Sequence, residues 1–225
     1  MNAAVIVALI ALVGAVGNVG LTYWLTTRKE RRRAQEEADA IWARQRHSLV
    51  FAASELSARI HNILENDFLA AYGQGGSRSD EAIISTLFRF SQYFGWSEIV
   101  RRATRVPDER HRVEVKAFEE LQSEVGSSFS SDRYGPDAFM VWRESQRAIG
   151  ELMISQEAEI DDTIGVAAFL SDYARFKPWL HRMEGGLKQQ SPSERERERL
   201  VSIQGNLDAL SASSVEALRR PQEGG

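Results

Sequence analysis

A long uncharged segment at the start of the chain limits its fold more than any other feature. No charged side chain occurs in the 23 residues from Ala3 to Leu25, and most of these residues are apolar. As a helix rising about 1.5 Å per residue, the segment would extend about 34 Å, enough to cross a hydrocarbon layer of about 30 Å. The sequence therefore predicts one transmembrane helix, with residues 1–27 as a membrane anchor.

The charges beside this segment predict its orientation. No basic side chain precedes it, whereas five follow it at once: Arg28, Lys29, Arg31, Arg32 and Arg33. Because Lys and Arg near a span stay on the cytoplasmic side, we expect the N-terminus outside and the rest of the chain in the cytoplasm, at the inner membrane. Tyr23 and Trp24 stand where aromatic rings meet lipid headgroups, and the basic residues are expected to bind anionic lipid.

Two features of the segment leave alternatives open. A cleaved signal peptide carries positive side chains before its apolar core, and here only the α-amino group precedes it. Ala15–Gly17 would pass as a cleavage triplet, but the apolar run continues beyond it, which favours an uncleaved anchor. A stripe of small and polar residues either pairs two copies in the membrane or reflects the ordinary composition of membrane helices. Its members are Ala4, Ala8, Ala11, Ala15, Asn18 and Thr22.

Composition narrows the classes of function. The chain has no cysteine and four histidines, which excludes disulfides, thiolate zinc sites, iron–sulfur clusters and a cysteine nucleophile. Residues 28–33 hold five basic residues and one acidic residue, which leaves a net charge of about −8 on the remainder. We therefore expect no nucleic acid among its partners. Only four of the 28 basic residues are lysine, which is typical of a GC-rich genome and indicates a bacterial source.

Beyond the anchor, apolar residues recur at helical spacing, with almost no strand alternation. The pattern predicts a basic helical stalk at residues 28–46, a cytoplasmic helical bundle at residues 47–190, and an amphipathic helix with a disordered tail at residues 191–225. A helix is expected to end near Tyr72, and apolar side chains over most of the circumference of the segment 83–100 predict the buried centre of the bundle. The fold class is all-α: one transmembrane helix continuing into a stalk, then a multi-helix bundle.

Local signals predict how the later helices begin and end. Gly126–Ser131 is rich in glycine and serine and is expected to be a loop. Trp142 is expected to face inward on the next helix, and Gly185–Gly186 predicts a linker. Ser191 is the expected N-cap of the last helix, with Pro192 in its first turn.

Catalytic and metal-binding motifs are absent. Gly73–Gly76 lacks the following Lys and Ser/Thr of a phosphate-binding loop. No serine or threonine nucleophile comes with a recognisable base. The histidine–carboxylate pairs each offer fewer ligands than metal sites in helical bundles use. They are His61 with Glu65, His111 with Glu114, and His181 with Glu184. We expect no cofactor and no metal, and the sequence does not favour an enzyme.

Gln146 is a polar residue at a position that the apolar pattern predicts to be buried. It falls within an apolar stripe, and a buried amide must find hydrogen-bond partners. Arg143 and Glu151 are close enough in sequence to join it in a polar network inside the bundle. Such a network either fixes the register of the helices or lines a ligand-binding pocket.

Three classes of function remain. The favoured one is a membrane-tethered interaction or scaffolding module that binds a protein partner or a second copy at the inner membrane surface. The first alternative is a membrane-tethered sensor that binds a small ligand near Gln146. The weaker alternative is an enzyme acting on a membrane-associated substrate.

Overall fold

The computed structural model describes the backbone of residues 3–72, 77–103, 112–156 and 161–219, and the side chains of residues 23–72, 78–103, 115–156 and 161–213. Eight α-helices lie in these ranges. They are α1 (Ala3–Glu65), α2 (Phe68–Tyr72), α3 (Ser77–Ala103), α4 (Arg112–Ser130), α5 (Arg143–Met153), α6 (Val166–Ser171), α7 (Tyr173–Leu187) and α8 (Glu194–Arg219). The described residues form no strand, only an isolated bridge between Ile154 and Thr163. The prediction of an all-helical fold is confirmed.

The chain divides into two compact units, Met1–Arg44 and Gln45–Gly225. In the first unit, the five basic side chains of residues 28–33 are all exposed, and the Arg28 guanidinium lies over the Trp24 ring, 5.1 Å from its centroid. Among the residues that the structure describes, no helix contains a stretch apolar and long enough for a membrane span. Most of the predicted anchor, including the stripe Ala4, Ala8, Ala11, Ala15 and Asn18, lies outside the described side chains.

Helix α3 is the centre of the second unit, as its apolar pattern predicts. It buries side chains all around its circumference: Ile83, Leu87, Phe90, Tyr93, Phe94, Ile99 and Val100. Its closest neighbour is α5, where a Cβ on Gly150 would stand only 2.6 Å from the Phe94 carbonyl oxygen. Glycine at position 150 thus lets the two backbones touch, which any larger residue would prevent.

Helix α8 belongs to the same core. Leu200, Ile203, Leu207 and Leu210 are fully buried, and α8 packs along α4. Ser57 in α1 donates a hydrogen bond to Asp208, at 2.5 Å. The apolar face of α8, which the sequence offers as a contact surface for a partner, is therefore occupied by the bundle itself.

The last helix begins two residues later than predicted. Ser193 and Glu196 form a reciprocal capping box: the Ser193 N–H donates to Glu196 Oε2 at 2.8 Å, and the Glu196 N–H donates to Ser193 Oγ at 3.4 Å. The prediction of Ser191 as N-cap is wrong because Ser193 also has a carboxylate three residues ahead, and this pair satisfies both backbone donors.

Two predicted breaks are helical instead. Helix α4 continues through the predicted loop to Ser130, and α7 continues through Gly185–Gly186 to Leu187. In α4, the hydroxyl groups of Ser128 and Ser130 donate to carbonyl oxygens of the preceding turn, and the Phe129 ring is fully buried. Tertiary burial therefore overrides the weak helix propensity of glycine and serine here.

Two other helix assignments need correction. The predicted helix ending near Tyr72 is two helices, because Asp67 adopts a left-handed conformation with φ of 49° between α1 and α2. Trp142 was expected to face inward, but its side chain is 52% exposed, since α5 begins only at Arg143 and the preceding segment is not helical.

Candidate functional site: a pocket between α3, α4 and α5

A pocket of about 270 Å³ opens where α3, α4 and α5 meet. Its volume is just below the range of ordinary small-molecule sites, about 300–1,000 Å³. The lining combines two aromatic rings, Tyr93 and Phe94, with several polar and charged side chains. Both Arg143 and Gln146, which the sequence analysis places in one polar network, are part of this lining.

Gln146 is buried and anchors the pocket wall. Its Nε2 donates to the carbonyl oxygens of Gly126, at 2.9 Å, and Val141, at 2.8 Å. The first bond joins α5 to α4, and the second closes the segment that leads into α5. The amide therefore holds the register of α4 against α5, and the same side chain faces the pocket.

Arg143 spans the same two helices from the pocket side. Its Nη2 donates to the Ser123 carbonyl oxygen and to Ser127 Oγ, both at 2.7 Å. Burial lowers the pKa of this guanidinium, and the neighbouring positive charge of Arg147 lowers it further. No carboxylate pairs with Arg143 among the described residues.

Gly126 makes this arrangement sterically feasible. A Cβ at position 126 would lie 2.2 Å from Arg143 Nη1 and 3.0 Å from Gln146 Oε1. The absent side chain leaves the space through which both polar groups reach the α4 backbone. The glycine that the sequence analysis interprets as a loop signal thus serves a close approach inside a helix.

Two hydroxyl groups in the pocket have no hydrogen-bond partner within the described part of the chain. They are Tyr93 Oη and Ser97 Oγ, one turn apart on α3, and both atoms are buried. Burial raises the pKa of the Tyr93 phenol above its usual range, whereas an interaction with the Ser97 hydroxyl and the charge of Arg143 lower it. The phenol therefore stays protonated at neutral pH and keeps a proton to donate.

The acidic side of the pocket is already paired. Glu98 is buried, and its carboxylate accepts hydrogen bonds from Arg101 Nη2 at 2.5 Å and Arg102 Nε at 2.8 Å. Burial would raise the pKa of Glu98, but these two guanidinium groups outweigh it and hold the pKa below its usual value. Glu119 is the other acidic residue of the lining, and it is exposed.

Glu151 does not join the predicted network. Its side chain is 58% exposed, and its carboxylate stands 3.8 Å from the Arg102 guanidinium on the outer surface. The reason is helical geometry, because five residues separate Glu151 from Gln146 and rotate it about 140° around α5. The structure thus brings together Arg143 and Gln146 and leaves Glu151 outside.

Of the three histidine–carboxylate pairs in the sequence, two lie within the described side chains. His61 and His181 are exposed, and His181 Nδ1 stands 2.9 Å from the Pro178 carbonyl oxygen. His111 and Glu114 lie outside the described side chains. In the described part of the chain, no three potential ligands among His, Asp and Glu come close enough to hold a metal ion.

Tyr93 and Ser97 were not predicted as site residues, although their spacing in the sequence places them on one face of a helix. Both lie on the buried central helix α3, four residues apart, so they share one face of it. The ring of Tyr93 fits the apolar pattern of α3, and this pattern gives no information about the hydroxyl group.

A second polar centre lies at the start of α8. Arg199 is fully buried, and its Nε donates to Asp137 Oδ2 at 2.7 Å. Its other nitrogens donate to the carbonyl oxygens of Ser128, Phe129 and Gly135, at 2.8 to 3.1 Å. All directions around this guanidinium are occupied by the protein itself, so it fixes the loop after α4 and is closed to ligands.

Comparison with known proteins gives no relative: the chain matches no family model, no curated protein and no solved structure.

Proposed function

We propose that the second unit is a small-ligand-binding domain, of the kind found in sensors, and that its binding site is the pocket between α3, α4 and α5. The observation that carries this proposal is the pair of buried hydroxyl groups, Tyr93 Oη and Ser97 Oγ, without partners in the described part of the chain. A buried polar group without a hydrogen bond costs about 1–3 kcal/mol. A ligand that bonds to both groups would remove that cost.

The first test uses the full-length chain in detergent micelles, with thermal unfolding followed by tryptophan fluorescence. A set of small metabolites is screened for compounds that raise the midpoint, as any ligand specific for the folded state must. We expect Ser97→Ala to reduce the shift caused by such a compound. Tyr173→Phe is the matched control, because this tyrosine bonds to Glu184 outside the pocket, at 2.8 Å. A set without any stabilising compound, or equal shifts in wild type and Ser97→Ala, would contradict the proposal.

We further propose that residues 1–27 anchor this domain in the inner membrane, with residues from Arg28 onward in the cytoplasm. The uncharged segment and the five exposed basic residues support this topology. Exposed Tyr23 and Trp24 stand between the two, as interfacial aromatic residues do. Reporter fusions at both termini test the orientation, and alkaline extraction tests the anchor. A chain released from membranes at high pH, or a C-terminal reporter active outside, would contradict it.

An interaction with a protein partner is the second candidate, and it now rests on a different surface. The apolar face of α8 is buried, but Val166 and Leu170 on α6 and Trp179 on α7 each expose more than two fifths of their side chains. Exposed apolar residues of this size can mark a contact surface. Crosslinking in native membranes should yield a specific partner or a dimer that Leu170→Glu removes, and identical crosslinks in the variant would argue against it.

A further inference from the structure

The charges around the pocket are unbalanced, because the lining holds three arginines against two carboxylates, Glu98 and the exposed Glu119. Three arginines line it, Arg101 from α3 and Arg143 and Arg147 from α5. Arg101 forms an ion pair with Glu98, in which Nε and Nη2 donate hydrogen bonds of 2.7 and 2.5 Å to the carboxylate. The two arginines of α5 are therefore the ones whose charge remains available.

Within the part of the chain that the structure describes, neither Arg143 nor Arg147 has a carboxylate partner. Arg143 donates to Ser123 and Ser127, which are neutral, and within the described part of the chain Arg147 forms no hydrogen bond or ion pair. The two side chains lie one turn apart on the same face of α5, so their charges repel each other across the pocket. An anion between them would relieve this repulsion, whereas a cation would increase it.

Tyr93 and Ser97 of α3 belong to the same lining and add two hydroxyl groups to it. Tyr93 Oη carries a proton and can donate it to an oxygen atom, and Ser97 Oγ can do the same. Together with the guanidinium groups of Arg143 and Arg147, these hydroxyl groups give the lining more donors than acidic acceptors, since Glu98 is already paired and only Glu119 remains. Carboxylate and phosphate oxygens accept several such bonds at once, and guanidinium groups match them in shape.

On this basis, and resting on the proposed ligand-binding function, we propose that the pocket binds a small molecule through an oxyanion, a carboxylate or phosphate group held by Arg143, Arg147, Tyr93 and Ser97. The rings of Tyr93 and Phe94 give the rest of the molecule an apolar wall. The volume of about 270 Å³ restricts the ligand to the size of a small metabolite.

The test compares three probes of one shape by titration calorimetry on the full-length chain in detergent. Benzoate, benzamide and benzamidine share a ring and a planar head, but their heads are negative, neutral and positive. We expect benzoate to bind at least about tenfold tighter than benzamide, which corresponds to about 1.4 kcal/mol. We expect no binding of benzamidine. Higher salt should weaken benzoate binding. Inorganic phosphate is then tested as a competitor of benzoate, which shows whether the site also accepts a phosphate group.

Variants locate the site. Arg147→Gln should lower benzoate affinity about tenfold, the lower end for a charge-assisted hydrogen bond, because this side chain is exposed at the pocket. Arg182→Gln, an exposed position on α7 outside the pocket, makes the same change of net charge and should alter affinity less than about twofold. Equal affinities in the two variants would overturn the proposal.

The result also separates this proposal from the proposed function. If benzamide binds as well as benzoate, or a neutral compound from the screen loses its effect in Ser97→Ala, the pocket binds ligands but not through an oxyanion. If phosphate binds and benzoate does not, the oxyanion proposal stands with a phosphate head. If no compound of the screen and no probe binds, both proposals fail.

Discussion

The bundle contains two arginine centres that differ in what surrounds the charge. Arg199 is fully buried, and Asp137 and three backbone carbonyl oxygens accept hydrogen bonds from four of its five N–H groups. Arg143 and Arg147 have only neutral partners or none in the described part of the chain, and they border open space. Both centres contain guanidinium groups. Of these, in the described part of the chain, only the Arg199 guanidinium has its positive charge paired with a carboxylate.

The difference separates a structural role from a binding role. A buried ion pair with all hydrogen bonds satisfied fixes one arrangement of the chain, and removing one member leaves the other charge stranded. A cluster of like charges beside unpartnered hydroxyl groups destabilises the unliganded fold and gains from a ligand. Substitutions in the first centre should therefore change stability, and those in the second should change binding.

The largest effect is expected from Arg199→Ala. The change leaves the Asp137 carboxylate buried without its partner and three carbonyl oxygens without donors, so unfolding free energy should fall by about 3–5 kcal/mol. Thermal unfolding of the full-length chain should show this as a midpoint lower by roughly 10 °C.

Arg197→Ala is the matched control for that variant. Arg197 lies on the same helix, but it is exposed, with a bond of 2.8 Å to the Leu64 carbonyl oxygen and an ion pair of 3.6 Å to Glu65. Its loss should cost less than about 1 kcal/mol. Comparable destabilisation by the two variants would remove the contrast between a closed and an exposed arginine.

Gln146→Leu should lower the stability of the fold by an intermediate amount, because Gln146 both holds α4 against α5 and lines the pocket. It removes two hydrogen bonds of α5, to Gly126 and Val141, which should cost about 1–3 kcal/mol. Urea unfolding measures the loss, with Gln204→Leu on the half-exposed face of α8 as control, expected to stay within about 0.5 kcal/mol. An unchanged midpoint for Gln146→Leu would show that the amide does not hold α4 against α5.

The pairing of Glu98 predicts a pH dependence of smaller size. The folded-state pKa of Glu98 lies below its usual value, so the group stabilises the fold above the unfolded pKa of about 4.3 and loses this effect as the pH falls through the folded pKa. The difference in unfolding midpoint between wild type and Glu98→Gln should therefore shrink between pH 6 and pH 3. Glu144→Gln, an exposed position on α5, is the control. A difference that stays constant over this range would contradict the pairing.

The all-helical fold and its buried central helix could be predicted from periodicity, because apolar spacing records which side chains face the core. Gln146 could also be identified, since an amide within an apolar stripe must have partners. The helical stretches at Gly126–Ser130 and Gly185–Gly186 could not, because their weak propensities are overridden by burial of Phe129 and by packing of α7. A pocket near Gln146 was one of two alternatives that the sequence left open, but its lining from α3, α4 and α5 could not be predicted, since it depends on how these helices pack together.

The smallest change in stability, and the sharpest distinction between the centres, is expected from Tyr93→Phe. The phenol oxygen is buried without a hydrogen-bond partner in the described part of the chain, so removing it should leave the unfolding free energy within about 0.5 kcal/mol or raise it slightly. Tyr173→Phe removes a hydroxyl that bonds to Glu184 and should cost about 0.5–1.5 kcal/mol. Urea unfolding of both variants measures the contrast. If Tyr93→Phe were the more destabilising of the two, its hydroxyl would have a structural partner in the folded chain, and the argument for a ligand at that oxygen would fail.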